Sequence, residues 1–167
     1  MLYCTDNKAI LENRDKFMIE AIRLSEQKMR EGFGGPFGAV VVRNGEIVAS
    51  GFNQVTSSND PTAHAEVMAI RNACEKLNTF QLDDCELYTS CEPCPMCLGA
   101  IYWARIPVIY YANTREDAAN IGFDDAHIYH EISLEIKDRS VKMLPLLREE
   151  GIKVFQAWQA KEDKKEY

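Results

Sequence analysis

The chain lacks several features that would assign it at once to a large class of proteins. It has no run of about 18 apolar residues, so no membrane-spanning helix is predicted. Its first residues, MLYCTDNKAILENRDK, have no basic start followed by an apolar core, and we therefore expect no secretory signal and a cytoplasmic location. No linker, repeat or low-complexity tract interrupts its 167 residues, which favours one domain over 1–167.

Positive charge is also scarce. The sequence has 19 Lys and Arg against 26 Asp and Glu, which gives a formal net charge of −7. Phosphate backbones are bound by Lys and Arg side chains that displace counterions, so this balance argues against a nucleic-acid substrate. The glycines of GGPFGAV have neither dinucleotide-binding nor Walker spacing, and they predict entry into a strand instead of a phosphate loop.

The hydrophobic patterns alternate between helical and strand periods, which predicts a layered α/β domain. Helices are predicted over about 13–31, 61–77, 93–105 and 114–122, with a final helical segment over 146–167 that is interrupted at Gly151. Asp60 and Pro61 are predicted as the N-cap and first turn of the second helix. Strands are predicted up to Arg43 and over 46–53, 85–90, 108–112 and 140–145.

Three of the six cysteines, Cys91, Cys94 and Cys97, stand at three-residue intervals. In a reducing cytosol, clustered thiols bind metal more often than they form disulfides. Cys94 and Cys97 share one face of a helix's first turn, where the helix dipole and the unpaired backbone N–H groups favour the thiolates that zinc requires. Cys91 precedes the helix, and we predict that it is a buried neighbour of the site and not a ligand.

His64 and Glu66, at the start of another predicted helix, complete the pattern H-x-E…P-C-x-x-C. Positions two apart on a helix do not face each other, so His64 as the third ligand leaves Glu66 beside the metal. A carboxylate next to a water that zinc has acidified can move protons, and the whole pattern predicts hydrolytic deamination of an amidine-like ring carbon. Two alternatives stay open: a redox or structural Cys-x-x-Cys, and a closed zinc site with Cys91 as the fourth ligand.

These residues resemble the cytidine deaminase superfamily and, more narrowly, its bacterial guanine deaminase branch. The general pattern is HAE at 64–66 and PCPMC at 93–97. The narrower resemblance covers nearly the whole chain, through GGPFGAV, SNDPTAHAE, QLDDCELYTSCEPCPMCLGAIYWAR, GFDD and FQAW…KKEY. It implies a three-layer α/β/α sandwich around a five-stranded mixed sheet, one zinc ion per subunit, and a homodimer that exchanges the C-terminal segment 145–167.

The resemblance also implies a substrate and its contacts. The substrate would be the free purine base guanine, deaminated to xanthine and ammonia, with Glu66 shuttling protons and Asp125 assisting. The residues that would contact the base are Asn53 by hydrogen bonding, Phe37 by stacking, Ala65, Trp103 and, from the other subunit, Tyr167. From the pattern alone, Asn53 is also typical of a turn, Phe37 and Trp103 of core packing, Asp125 of an acidic loop and Tyr167 of a solvated chain end.

Other functions remain possible interpretations of the same motifs. A tRNA adenosine deaminase shares DPTAHAE and PCPMC, but it should carry a basic surface for the anticodon stem, and the charge of −7 argues against one. Cytosine-type and riboflavin-pathway deaminases are weaker rivals within the same chemistry. A zinc-stabilised binding module without catalysis would need neither Glu66 nor an open position on the metal.

Overall fold

The computed structural model describes residues 4–166, with side chains from residue 14 onwards. The chain divides into two compact units between Asp125 and Ala126. We call residues 126–166 the C-terminal unit. None of the helices in the described range combines the length and the apolar character needed to cross a bilayer.

The first unit is built on a four-stranded mixed sheet with the strand order β2-β1-β3-β4. The strands are β1 Gly38–Arg43, β2 Glu46–Phe52, β3 Cys85–Cys91 and β4 Val108–Asn113. Strand β1 runs antiparallel to β2 and β3, and β4 runs parallel to β3. The amino end of β1 therefore lies beside the carboxyl ends of the other three strands. We call this side of the sheet the site edge.

Helices cover both faces of this sheet, because alternate residues of β1 point to opposite faces. Ala39 and Val41 pack into a cluster with residues of α3 (Ala65–Leu77) and α4 (Pro95–Trp103). Val40 and Val42 pack on the other face with Phe17 of α1, which spans Cys4–Arg30. Two short helices, α2 (Val55–Ser58) and α5 (Arg115–Asn120), lie in connections. The predicted α/β fold is confirmed.

The C-terminal unit contains two helices, α6 (Ala126–Ser133) and α7 (Arg148–Ala160), and a single 3₁₀ turn at Ile136–Asp138. Neither α6 nor α7 has a buried residue. The segment between the 3₁₀ turn and α7 has no regular structure and exposes large apolar side chains, with Leu144 84% and Leu146 86% accessible.

The five-stranded sheet was a wrong prediction, since the described sheet has four strands. The residues expected as a last strand, 140–145, do not join it. Ser140 donates its backbone N–H to the Glu131 carboxylate at 2.7 Å, and its hydroxyl donates to the same oxygen at 2.6 Å. A side-chain acceptor thus takes the donor that a strand ladder would have used.

Several element boundaries also differ from the predictions. Helix α3 begins at Ala65 and not at 61, because the Asp60 carboxylate accepts hydrogen bonds from the backbone N–H and the hydroxyl of Thr62, which closes a local turn instead of capping a helix. Helix α1 begins earlier than predicted, at Cys4. Helix α7 continues through Gly151 without interruption, and α6 was not predicted.

Candidate active site

Backbone contacts at the site edge bring the end of β2 to the start of α3. Gln54 donates its N–H to the carbonyl of Ala63 at 2.9 Å. Gly51 makes the close approach possible, since a Cβ on it would lie 2.3 Å from the carbonyl oxygen of Ala65. The residues that follow β2 therefore lie next to the beginning of α3.

Two helix N-termini meet at this edge, and each presents a metal-ligating side chain. His64 is the N-cap of α3 and Cys94 is the N-cap of α4, both with extended backbone conformations. Cys97, in the first turn of α4, is buried. The ligand atoms of these three residues all lie within 4.8 Å of one another. Because each cap residue leaves the helical path, its side chain can turn towards the same point in front of both helices.

The distances in this cluster fit a tetrahedral zinc ion. Nδ1 of His64 lies 3.6 Å from Sγ of Cys94 and 3.5 Å from Sγ of Cys97. Zinc bonds of about 2.3 Å to sulfur and about 2.05 Å to nitrogen, at a tetrahedral angle, separate the two ligand atoms by about 3.6 Å. The donor set of one imidazole and two thiols is also one that zinc prefers.

Cys91 does not belong to this cluster. Its thiol donates to the backbone carbonyl of Thr114 at 3.6 Å, and its burial raises the pKa of the thiol to about 11. Both observations disfavour a thiolate ligand. Among the side chains of 14–166, the cluster offers three protein ligands, the number found in zinc sites that keep a position for water or substrate.

The protonation of the cluster follows from its own contacts. The neighbouring thiol of Cys97 and the imidazole of His64 lower the pKa of Cys94 to about 4. The same contact raises the pKa of Cys97, and the hydrogen bond to Cys94 raises the pKa of His64. Zinc ligands must be deprotonated, so metal binding would displace the protons that these three groups carry.

Glu66 lies in the first turn of α3 and is buried beside the cluster. Its Oε1 accepts a hydrogen bond from Thr89 Oγ1 at 3.1 Å, and its Oε2 accepts one from Cys97 Sγ at 3.4 Å. Burial raises the pKa of this carboxyl, so it can hold and release a proton closer to neutral pH than an exposed glutamate. Thr89 was not predicted as part of the site; its only sequence signal is a polar residue within an otherwise buried strand.

Three of the expected substrate contacts lie at the site edge. Asn53 follows β2 and is buried, and its backbone N–H donates to the carbonyl of Phe37 at 3.0 Å. Ala65 is fully buried between His64 and Glu66. The ring of Phe37 meets the ring of Phe123 edge-on, with 4.9 Å between centroids. Phe123 was missed by sequence reasoning, because a single aromatic residue in a loop carries no periodic signal.

The remaining expected substrate contacts are Asp125, Trp103 and Tyr167. Asp125 is half-buried, and burial followed by the negative charge of Cys94 raises its pKa. Trp103 ends α4, about 9 Å along the helix axis from Cys97, and is 65% exposed. Tyr167 lies outside the described residues. The roles of all these residues stay predictions.

Comparison with known proteins adds independent findings. The sequence profile of the cytidine and deoxycytidylate deaminase zinc-binding region matches residues 11–113. The guanine deaminase of Bacillus subtilis (strain 168) is 54% identical over 93% of this chain and 99% of its own length. Its crystal structure superposes with a TM-score of 0.89, covering 92% of this chain and 98% of that chain.

Two further relatives are named for different ligands, a purine base analogue and tRNA. A solved chain in complex with 8-azaguanine is 37% identical, with a TM-score of 0.63 over 65% of this chain and 63% of that chain. A tRNA-specific adenosine deaminase of Aquifex aeolicus (strain VF5) is 40% identical over 59% of this chain and 65% of its own length. The resemblance seen in the sequence is therefore confirmed: the chain belongs to the zinc-binding cytidine and deoxycytidylate deaminase family, in the group that contains the bacterial guanine deaminases.

Proposed function

We propose that this protein is a zinc-dependent guanine deaminase, which converts guanine and water to xanthine and ammonia. The observation that carries the proposal is the cluster of three ligand atoms with the buried Glu66 carboxylate against it. The 54% identity to a guanine deaminase over nearly the full length of both chains supports the choice of substrate. His64, Cys94 and Cys97 would hold one zinc ion per chain, which, when bound, lowers the pKa of a water to about 7.

Glu66 would carry the protons of this reaction. One proton of the attacking water passes to the Glu66 carboxylate as the water oxygen bonds to C2 of guanine. Glu66 then delivers a proton to the exocyclic nitrogen, the C2–N bond breaks, and ammonia leaves. The second water proton ends on a ring nitrogen of xanthine, so atoms and charges balance. Asp125, whose pKa is raised, would assist this transfer.

The substrate would lie against the site edge, with Phe37 stacking on the ring, Asn53 hydrogen-bonding to it and Ala65 forming part of the wall. Trp103, and Tyr167 of a second subunit, would close the pocket. A free purine is planar and apolar on its faces but carries donors and acceptors around its rim, which suits an aromatic side chain combined with an amide and a carboxylate. The related chain in complex with 8-azaguanine supports a purine base as ligand.

The same proposal includes a homodimer in which the segment 145–167 is exchanged between subunits. The support is the number of large apolar side chains that the single chain leaves exposed. In the first unit Tyr102, Trp103 and Tyr111 are exposed. The exposed apolar residues of the C-terminal unit include Val141, Met143, Leu144, Leu146, Leu147, Val154, Phe155 and Trp158. Exposed apolar side chains gain free energy when another surface covers them, and a partner copy would supply that surface. The cytoplasmic location stays a prediction.

The second candidate function is that of a tRNA adenosine deaminase, which the similarity to the Aquifex aeolicus relative supports. That similarity covers 59% of the chain, whereas the similarity to the guanine deaminase covers 93%. The net charge of −7 also disfavours binding to a phosphate backbone. Both observations favour the free base.

The test is ammonia release by zinc-loaded protein from guanine, adenine, cytosine, guanosine and an anticodon stem-loop RNA that carries adenosine, each supplied separately. Release from guanine alone, with xanthine formed in equal amount, is the expected result. Release from the RNA alone would keep the zinc chemistry and overturn the substrate. No release from any of them would contradict the proposal.

A further inference from the structure

The side-chain amide of Asn53 has a fixed orientation. Its Oδ1 accepts the backbone N–H of Gly35 at 3.3 Å and that of Val55 at 3.2 Å. A flipped amide would point its NH₂ group at two N–H donors, so the hydrogen-bond network determines which atom is oxygen. A carbonyl oxygen has two lone pairs, and both are used by these contacts. Asn53 therefore has no acceptor left for a ligand.

The amide nitrogen of Asn53 remains available. Within the described part of the chain, Nδ2 donates to no protein group, and no buried side-chain nitrogen or oxygen there lacks a partner. Nδ2 must therefore keep some accessible surface, although the residue as a whole is only 6% exposed. Asn53 itself stands next to the start of α3, since the following residue, Gln54, donates its backbone N–H to the carbonyl of Ala63, which precedes His64.

Gly34 makes this arrangement possible. A Cβ on Gly34 would lie 2.3 Å from Oδ1 of Asn53 and 2.6 Å from its backbone carbonyl oxygen. No side chain can be accommodated at these distances without moving the loop or the amide. The backbone of residues 34–35 thus lies directly against Oδ1 of Asn53. Gly35 supplies one of the two N–H groups that hydrogen-bond to this oxygen.

We propose that Gly34 and Gly35 are positioning residues that hold the Asn53 amide as a hydrogen-bond donor only, so that the site selects a base with a hydrogen-bond acceptor at this point. The choice of base rests on the proposed function: guanine offers O6, N7 and N3 as acceptors. A base that presents C–H or N–H there leaves the amide donor unpaired and binds more weakly.

The first test is Asn53→Asp. The carboxylate keeps an oxygen for the N–H groups of Gly35 and Val55 but replaces the donor with an acceptor. We expect unchanged zinc content, a melting temperature within a few degrees of wild type, and a kcat/KM for guanine lower by on the order of 100-fold. A kcat/KM within about threefold of wild type would overturn the inference.

The second test identifies the acceptor and the role of Gly34. Dissociation constants of guanine, 3-deazaguanine, 7-deazaguanine and 2-aminopurine are measured by calorimetry on zinc-loaded Glu66→Gln protein, in which turnover is stopped. Each analogue lacks one of the three acceptors, and we expect one of them to lose about 10-fold in affinity relative to guanine. Adding Gly34→Ala or Asn53→Asp should weaken guanine but leave that one analogue nearly unaffected.

A merely structural role of Gly34 would weaken all four ligands by the same factor, and that result would overturn the inference. Gly99→Ala is the matched control, because a Cβ at Gly99 meets no atom within 4 Å. It should leave every constant within about twofold. If Gly34→Ala does not fold, Gly35→Ala is measured in its place with the same expected pattern, because a Cβ there would approach the side-chain rings of Phe123 and Phe37 at 3.0 and 3.1 Å. The positioning role would be refuted if Gly34→Ala and Asn53→Asp keep the wild-type selectivity among the four ligands. The proposed function would stand in that case, provided that the wild-type protein deaminates guanine.

Discussion

The site edge and the C-terminal unit differ in which side chains they bury. At the site edge the polar groups are buried and paired: Glu66, Thr89 and Asn53 are almost inaccessible, and each makes hydrogen bonds within the same chain. In the C-terminal unit the apolar groups are exposed, and its two helices have no buried residue. One region places polar groups inside, and the other places apolar groups outside.

The difference indicates that one chain can hold the catalytic groups in place by itself, whereas the exposed apolar groups would need another surface to cover them. Buried polar groups are stable only when their partners are held in place, so the chemistry of Glu66 and the metal ligands is preorganised by one chain. Exposed apolar groups gain free energy when another surface covers them, at about 25 cal/mol per Å². In the proposed dimer a partner copy would cover the apolar groups of the C-terminal unit, whereas the groups at the site edge find their partners within one chain.

Removal of zinc should produce the largest effect and should act on the site edge. Dialysis against a chelator is expected to abolish ammonia release from guanine, and one equivalent of zinc per chain should restore it. The melting temperature should fall by several degrees or more, because the proposed zinc ion would link the N-termini of α3 and α4. Full activity in protein shown to be free of metal would contradict the assignment of His64, Cys94 and Cys97.

Phe155→Ser should show whether the C-terminal unit is an interface. Phe155 is 73% exposed in the chain, and replacing an exposed residue of a monomer changes stability by about 0.5 kcal/mol or less. If a partner copy covers it, the dimer should dissociate at concentrations roughly 10-fold or more above those for wild type. Sedimentation velocity measures this, and Lys153→Ser on the same helix is the control. Identical association of both variants would remove the support for the exchanged segment.

Thr89→Val should have an intermediate effect. The hydroxyl donates to Oε1 of Glu66, which fixes one carboxylate oxygen and leaves the other to face the cluster. We expect kcat for guanine to fall by about 10-fold, with zinc content unchanged, because a hydrogen bond to a charged group is lost. Thr89→Ser should restore most of the rate. If the serine and valine variants were equally slow, the hydroxyl would not be the group that matters.

Cys91→Ser should have the smallest effect. A serine hydroxyl can donate to the Thr114 carbonyl as the thiol does, so we expect one zinc per chain and a kcat/KM within about threefold of wild type. Cys94→Ser is the comparison and should lose most of its zinc. Loss of zinc from the Cys91→Ser variant would instead support a closed zinc site with Cys91 as the fourth ligand.

The site could be predicted from the sequence to the extent that it depends on local spacing. Cys94 and Cys97 share one turn, and His64 and Glu66 are two residues apart, so the positions of these pairs follow from helix geometry once the helix starts are known. The meeting of the two pairs depends on the long-range packing of α3 and α4 against the sheet. Thr89 and Gly34 could not be found, because their contacts cross between strands and loops that the sequence separates by 23 and 19 residues.

The fold was predicted where periodicity is strong and missed where context decides. Strand β1 reads as a continuous apolar run, since helices cover both of its faces. The segment 140–145 has a similar apolar character but lies in a unit without a sheet, and a side-chain acceptor on Glu131 takes its first donor. Apolar composition alone cannot show whether a strand partner exists. The start of α3 was misplaced for a related reason, because Asp60 satisfies a turn instead of a helix end.

The most direct test of the proposed mechanism is Glu66→Gln, with zinc content and guanine turnover measured on the same preparation. We predict one zinc per chain, a melting temperature within a few degrees of wild type, and a turnover lower by about 10³-fold or more, because the glutamine cannot accept the proton of the attacking water. Turnover close to that of wild type with zinc in place would contradict the proposed mechanism and leave the buried carboxylate with a structural role alone.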